Sequence, residues 1–446
     1  MAETAPCTWE EWPFGELVTR LVNGGTPPTE VAVYWQGHTP WITGADFTPS
    51  GLSGFRRFVS EGAVRQTATN VIAKGELLLV TRTGVGKLAI APCDVAISQD
   101  ITGVYPNREK VTVEYLYYRM RQGVEELKKL NQGTSINGII RDDLVKYRIA
   151  LPPVSQQKRI AEILSTVDEA IEQTEELIAK TQHIKAGLMN DLFGRGVNAN
   201  GQLRPPREVA PQLYKESPLG WIPREWGAAK FAELLCSGAI AEIQDGNHGE
   251  LHPKREDFVP EGIPFLMARD IAGGLIDLDG CYRITAEQYR SLRIGFSIPG
   301  DVLLSHKGTI GETAIVPDNL PSAMLTPQVT YYRVKPDGPL QRYFLLAWMR
   351  SPAFQSRMKS LAAQSTRDYV GITAQKSLLG AVIPSRTEQK QIVSIVEAIE
   401  RKLGAERVSL RNFTQLKSGL MQDLLTGRVQ VCCSPRIDDE RTTASV

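Results

Sequence analysis

The sequence predicts an α+β protein: two tandem domains, each followed by a long helix, with the two helices paired antiparallel. Three observations predict it. The chain repeats itself at a period above 200 residues, two stretches carry apolar residues at heptad spacing, and the segments upstream of each stretch are short apolar runs punctuated by Gly and Pro. A period that long is not a solenoid; it is a tandem duplication.

The duplication is clearest in the helical copies. Leu151-Pro-Pro-Val-Ser-Gln-Gln-Lys-Arg-Ile160 aligns with Ile383-Pro-Ser-Arg-Thr-Glu-Gln-Lys-Gln-Ile392, an offset of 232 residues. The same offset aligns Lys185-Ala-Gly-Leu-Met-Asn-Asp-Leu192 with Lys417-Ser-Gly-Leu-Met-Gln-Asp-Leu424 without a gap. Upstream, the segment from Gly75 to Pro92 matches Gly300 to Pro317 at an offset of 225, with 7 of 18 positions identical. Tyr115–Arg121 resembles Phe344–Arg350 at an offset of 229. Such drift is what loop insertions produce. Glu11-Trp12 and Glu225-Trp226 mark the two starts.

Within the helices, Leu164, Ile171, Ile178 and Lys185 share one heptad position, and Val167, Thr174, Thr181 and Leu188 the other. The second copy gives Val396, Leu403, Leu410 and Lys417, then Ile399, Glu406, Phe413 and Leu420. This is a coiled-coil seam. Ser155 and Thr387 are the expected N-caps, and Gly194-Arg-Gly196 and Gly427 the expected stops. A rod of 38 residues would be about 57 Å long. A whole domain separates the two helices, so they are expected to pair antiparallel. The domain copies are expected to carry strands at Gly75–Val80, Lys87–Ile90, Val302–Leu304 and Thr313–Val316, on a curved or barrel-like sheet, and helices near Val113–Leu130 and Leu340–Leu361. Asn198–Arg207 reads as a linker, and the tail from Cys432 as disordered.

Composition sets outer limits. The 446 residues hold 51 Lys+Arg against 50 Asp+Glu. A neutral total offers no general attraction to nucleic acid but leaves room for a basic face. No run approaches the roughly 18 apolar residues of a membrane span, and the first residues do not read as a secretory signal. Six scattered cysteines form no CxxC pair. A reducing, cytoplasmic setting is expected.

The motifs of catalysis fail one by one. Thr81-Arg-Thr-Gly-Val-Gly-Lys-Leu88 lacks the first Gly and the final Ser/Thr of a phosphate loop, and its repeat has Glu312 where Lys87 stands. It is expected to be a tight hairpin. His248-Gly-Glu-Leu-His252 misplaces the Glu of a zinc helix, and Pro253 follows. No NPPY- or DPPY-type motif for holding a target amine is present, and no carboxylate-Lys set suits a metal-dependent nuclease. No catalytic residue, no metal site and no cofactor are assigned to this chain.

The repeated Pro-x-x-[Ser/Thr]-[Gln/Glu]-Gln-Lys-x-Ile and Lys-x-Gly-Leu-Met-x-Asp-Leu blocks resemble the conserved regions of the specificity subunit of Type I restriction-modification systems. So do Ser217-Pro-Leu-Gly-Trp-Ile-Pro-Arg-Glu-Trp226, Gly24-Gly-Thr-Pro-Pro28 with Pro40-Trp-Ile-Thr43, Asp245-Gly-Asn-His-Gly249 with Gly262-Ile-Pro-Phe-Leu266, and Gln132-Gly-Thr-Ser-Ile136. The resemblance covers about residues 1–430. It implies target recognition domains at 1–150 and 218–382, conserved helices at 151–196 and 383–430, a linker at 197–217 and a tail at 431–446. The coiled coil would hold the domains in pseudo-twofold opposition. Each domain would read half of a split, asymmetric site on double-stranded DNA. The implied partners are two modification subunits, which use S-adenosylmethionine, and restriction subunits, which use ATP and Mg; the implied roles are DNA methylation and phage defence. A fused or stand-alone methylase or nuclease, or a coiled-coil scaffold that binds no DNA, is the alternative.

Phosphates call for Lys or Arg, and base edges for Arg, Asn, Gln, Lys or Thr. The expected DNA-binding residues are therefore Thr26, Thr43, Arg56, Arg57, Arg82, Thr83 and Lys87 in the first domain. In the second they are Asn247, His248, Lys254, Arg255, Arg269, His306 and Lys307. The expected seam is Leu164, Val167, Ile171, Ile178, Leu188, Val396, Ile399, Leu403, Leu410, Phe413 and Leu420. Leu177, Ile184, Val408 and Leu416, beside it, are the expected docking residues for modification-subunit helices.

Overall fold

The computed structural model describes residues 9–48, 51–52, 54–130, 138–249, 251–364 and 368–431. Gln132–Ile136 and the tail from Cys432 lie outside the described residues. The chain divides into two compact units, Met1–Leu177 with Glu406–Val446, and Ile178–Ala405. Each unit therefore owns one domain and part of each long helix.

The main elements of the first unit's domain are eight strands and one long helix. They are β1 (Val18–Asn23), β2 (Thr39–Ile42), β3 (Arg57–Val59), β4 (Asn70–Ile72), β5 (Leu77–Val80), β6 (Leu88–Ile90), β7 (Val95–Ile97), β8 (Ile101–Pro106) and α1 (Val113–Leu130). One sheet runs β1-β8-β5-β6, the other β3-β2-β7-β4. The pairing of β2 with β7 is parallel, Trp41 opposite Ala96, and its neighbours are antiparallel. Apolar side chains of both sheets, among them Ile42, Ile72, Leu78, Val80 and Ile97, form one core. A second core joins Leu77, Leu79 and Val104 to α1 through Leu116, Met120 and Leu127. The last helix closes this core with Leu424 and Leu425. Glu10–Pro13 pairs with Arg148–Leu151, so the domain's two ends meet where the first long helix, α2 (Val154–Gly194, 41 residues), begins.

The second unit repeats the plan. Its strands are β9 (Ile240–Asp245), β10 (Ile263–Leu266), β11 (Tyr282–Ile284), β12 (Phe296–Ser297), β13 (Val302–Ser305), β14 (Thr313–Ile315), β15 (Ala323–Leu325) and β16 (Val329–Val334). The sheets run β9-β16-β13-β14 and β11-β10-β15-β12, the first unit's order strand for strand, including the parallel pair β10 with β15. The one helix expected over Leu340–Leu361 is two, α3 (Arg342–Met349) and α4 (Pro352–Ala362). Pro352 ends α3 because it has no amide to continue it; Ser351 then caps α4, its hydroxyl accepting from the Phe354 amide at 3.3 Å. The last helix, α5, spans Arg386–Leu424, 39 residues.

The two long helices start one residue earlier than the expected caps. In the second copy Ser385 caps α5, its hydroxyl accepting from the Glu388 amide at 3.2 Å; the first copy has Pro153 there, which offers no side-chain acceptor. The repeated Gln of the motif does the anchoring. Gln157 is fully buried; its amide group donates to the carbonyls of Lys110 and Pro152 and accepts from the Thr112 amide. Gln389 is also fully buried; it donates to Pro339 and Pro384 and accepts from the Gln341 amide. Every polar atom of each side chain has a backbone partner, and each helix start is tied to its own domain.

The stretch after α2, read as a linker, is folded into the second unit. Glu388 accepts from the Val197 amide (2.9 Å), from Arg204 (2.5 Å) and from the Trp226 indole (3.0 Å). Gly196 adopts φ +65°, and a Cβ there would come within 2.3 Å of both Glu388 and Trp226. Only glycine fits this crossing.

Within each unit the α2 and α5 segments run antiparallel. In the first, Asp168 meets Lys417, while Ile160 and Leu164 share a core with Leu420, Leu424 and Leu425. In the second, Lys185 meets Glu400 at 2.9 Å, while Met189 and Leu192 share a core with Ile392 and Val396. Lys185 and Lys417 are repeat counterparts, and so are Asp168 and Glu400. The two lysines at heptad positions thus meet acids on the facing helix. Leu164, Val396 and Leu403 are buried, and Val167, Ile171, Ile178, Leu188, Ile399, Leu410, Phe413 and Leu420 half-buried. Leu177, Ile184, Val408 and Leu416 are 43%, 53%, 50% and 49% exposed.

Candidate nucleic-acid interface

In each domain one turn gathers the loops at a single end of the two sheets. In the first domain it is Ser98–Asp100, between β7 and β8. The Ser98 amide donates to Ile42, and the Gly25 amide to Ile97; the amides of Thr81 and Arg82 both donate to the Asp100 carbonyl. Thr26 reaches the Gln99 side chain at 3.0 Å and Thr83 the Asp100 carboxylate at 3.3 Å. Thr26, Thr43, Arg82 and Thr83 are therefore on neighbouring loops.

The remaining first-domain candidates are held differently. Thr43 caps a short turn with Asp46, its hydroxyl donating to that carboxylate at 2.9 Å. Burial pushes the Asp46 carboxyl up, but Arg56 (Nε to Oδ1, 2.5 Å) and the Thr43 amide and hydroxyl together hold it below the usual aspartate range. Arg56 itself remains exposed. Arg57 lies over the rings of Trp35 (5.7 Å) and Trp41 (5.9 Å), leaving an exposed guanidinium on an aromatic bed. Lys87 stays exposed, while its ammonium donates to the carbonyls of Gly44 and Phe47, at 2.9 and 3.3 Å. The glycine-rich segment is a hairpin turn, closed by the Gly86 amide on the Val80 carbonyl, with Gly84 and Gly86 at positive φ. Glu312, in the repeat, does the mirror task and accepts from the Gly273 amide at 3.1 Å. Loop bracing explains how Lys and Glu can occupy one place.

In the second domain the hub is Thr326–Gln328. The Thr326 amide donates to Leu266, the Asn247 amide to Leu325 and the His306 amide to the Gln328 carbonyl; the Gln328 side chain accepts from Ala268. Asn247, Arg269, His306 and Lys307 are brought together by these bonds. Arg269 and Lys307 are exposed. Arg269 stacks over Tyr282 at 4.6 Å, and Tyr282 stacks on Phe258 at 4.3 Å. Asn247 and His306 are buried, at 3% and 0% exposure, and among the described residues neither the Asn247 amide nitrogen nor the two imidazole nitrogens has a hydrogen-bond partner. Neither side chain reaches solvent. His248 is exposed and its ring contacts the Gly246 carbonyl at 3.2 Å. The His252 ring contacts the Asn247 carbonyl instead. Lys254 and Arg255 are exposed on a short 3-10 turn that no hydrogen bond or ion pair described here ties to the hub.

Sequence reasoning missed the hubs themselves. Their signal is the aligned pair Val95-Ala-Ile-Ser-Gln-Asp-Ile-Thr102 and Ala323-Met-Leu-Thr-Pro-Gln-Val-Thr330, in which apolar strand, Ser/Thr turn and Asp/Gln recur. Among the described residues no group of His, Cys, Asp and Glu is placed to hold a metal ion, and no helix is long and apolar enough to cross a membrane.

Residues 6–182 match the family model described as the Type I restriction modification DNA specificity domain. Residues 6–182 are thus similar to that domain, and the chain resembles the specificity subunits of Type I restriction-modification systems. The specificity subunit of the type I restriction enzyme MjaIX of Methanocaldococcus jannaschii is 26% identical over 274 residues; that match spans 60% of this chain and 59% of the relative. The MjaVIII specificity subunit of the same organism is 22% identical over 430 residues, 96% of this chain and 94% of the relative. The EcoR124I/EcoR124II specificity subunit of Escherichia coli is 27% identical over 165 residues, 35% of this chain and 41% of the relative. The crystal structure of the S subunit from M. genitalium shares the fold, with a TM-score of 0.57 at 15% identity over 93% of this chain and 96% of that chain.

Proposed function

We propose that this chain reads a bipartite, asymmetric site on double-stranded DNA, one half with each domain's hub, and performs no catalysis itself. The observation that carries this reading is the recurrence of one loop hub on two domains whose loop sequences differ: the same scaffold presents two different sets of base-reading groups. Thr26, Thr43, Arg56, Arg57, Arg82, Thr83, His248, Lys254, Arg255, Arg269 and Lys307 are the groups proposed to face DNA. Asn247, His306 and Lys87 are proposed to act from behind, by holding those loops.

The heptad residues of α2 and α5 are proposed to form a coiled coil that fixes the spacing of the two half-sites, as a rigid rod does. Exposed Leu177, Ile184, Val408 and Leu416 are proposed to dock two modification subunits. Those subunits would use S-adenosylmethionine; restriction subunits would supply ATP- and Mg-dependent cleavage in the cytoplasm. A near-neutral chain has little salt-sensitive phosphate attraction of its own, so its partners would supply much of it.

Methylation mapping of host DNA, with and without the gene, tests the reading. The expected result is a split methylated motif that vanishes on deletion and returns on complementation. Replacing residues 1–150 with those of a relative should change one half of that motif and leave the other. A motif unaffected by deletion overturns the reading.

A further inference from the structure

Behind the loops of the second domain lies a polar triad whose first-domain counterpart has different chemistry. His306, just beyond β13, is wholly enclosed. Its amide donates to the Gln328 carbonyl at 2.9 Å, and its carbonyl accepts from the Val370 amide at 3.1 Å. Thr81, just beyond β5, makes the same two bonds: to the Asp100 carbonyl and from the Ile139 amide, both at 2.8 Å. The backbone frame is common, and only the side chains differ.

In the first domain the Thr81 hydroxyl lies 3.3 Å from that of Thr102, which donates to the Asn23 side chain at 3.4 Å. That chain carries no ionisable group. In the second domain the Thr330 hydroxyl donates to the Asp245 carboxylate at 2.5 Å, and His306 Nε2 stands 3.4 Å from the same oxygen. Buried Gln375 locks the arrangement by donating to Thr330 and to the Val370 carbonyl and accepting from Tyr332. Among the described residues, the titratable groups facing His306 are Asp245 from β9, Lys307 from its own loop, and Tyr369, whose ring centre is 5.3 Å away. From the turn before β16 it meets the uncharged Gln328 carbonyl, and Thr330 of β16 shares the Asp245 oxygen that faces it.

We propose that His306 is a positioning residue for DNA reading by the second domain, holding the 306–311 loop in its reading conformation only while the imidazole is neutral. The inference rests on the recognition reading above. The physical reason is the enclosure: an imidazolium there would be desolvated, beside Lys307, with Asp245 already bonded to Thr330. Burial is the largest influence and pushes the His306 pKa down; Asp245 opposes it and Lys307 adds to it. The released or unfolded loop therefore takes up a proton more readily than the packed one. Stability from this packing is complete above the ordinary histidine value and is lost as pH falls from there through the lowered value. The neutral triad of the first domain has no such response.

The test uses the full chain assembled with its modification subunits, and a duplex carrying the motif read from methylated genomic DNA. Binding is followed by fluorescence anisotropy from about pH 7.5 to 5.5 at constant ionic strength. The wild type should lose about threefold or more in affinity, since each pH unit below a titrating pKa alters the populations up to about tenfold. His306→Thr, which installs the first domain's residue, should lose the acid response, read as the ratio of its own affinities at the two ends of the pH range. If that variant does not fold, His306→Gln supplies a neutral side chain of closer size. Independently, the histidine resonance missing from the variant's NMR spectrum should titrate below the ordinary histidine range. A flat wild-type profile, an acid response that survives substitution, or a His306 resonance in the ordinary range overturns the inference. Absence of selective binding at every pH would instead overturn the recognition reading on which it rests.

Discussion

Two glutamines carry more of the architecture than their polarity suggests. Gln157 and Gln389 have each exchanged water for three backbone partners, and each joins a helix start to the loop before its domain helices. Gln389→Ala would leave the Gln341 amide and the Pro339 and Pro384 carbonyls unmatched in the interior. The expected loss is about 2–3 kcal/mol by chemical denaturation, on the scale of an unsatisfied buried group. Gln391→Ala, two residues on, loses only a 3.5 Å surface contact to the Ala199 carbonyl and should stay within about 0.5 kcal/mol of wild type. Equal losses from the two would remove Gln389 from this role. The motif glutamine was visible in the sequence as a repeated letter. Its task was not, because two of its three partners in each copy lie about fifty residues away and all are main chain.

At the scale of elements, the long helices are stabilised by what their sequence leaves imperfect. Lys417 occupies a heptad position where an aliphatic residue would pack better, and burial pushes its pKa down while Asp168 opposes the shift. Asp168 in turn accepts from the Tyr118 hydroxyl of α1 at 2.9 Å, so the pair ties both helices to the first domain. Lys417→Ala should cost about 1–3 kcal/mol, because Asp168 keeps its charge and loses its counterion. Lys417→Met combined with Asp168→Asn should cost less than Lys417→Ala alone, since the apolar side chain fills the seam and the amide still serves Tyr118. Urea denaturation midpoints of the three proteins decide this; a double variant no better than the single one would mean that packing, not charge, dominates. Heptad spacing made these helices legible, and helix limits fell within about two residues of expectation. The split of the second domain helix at Pro352 was legible too, but the apolar continuity across it concealed the break.

For the whole molecule, the proposed reading turns helix length into DNA spacing. Inserting one heptad into α2 between Ile171 and Ile178, and one into α5 between Ile399 and Leu410, adds about 10 Å to each helix while keeping the seam in phase. A base-pair step of about 3.4 Å makes that roughly three pairs. Methylation mapping should then show both half-motifs unchanged and the unread gap longer by about three base pairs; an unchanged gap would show that the helices do not set it.

Duplication and heptads were properties of the sequence by itself, and they were enough for the fold class. They were readable because each depends on residues close together or on one copy compared with the other. Which loop residues face outward was decided only by the tertiary structure. Asn247 and His306 read as DNA-contacting groups and are enclosed, and Lys87, read as another, stays exposed while it braces two carbonyls. Arg57 finds an aromatic bed on Trp35 and Trp41. A polar side chain on a loop has the same letter whether it meets solvent or another loop. The difference lies in the hubs at Ser98–Asp100 and Thr326–Gln328, where strands distant in sequence converge and settle which side chains are covered.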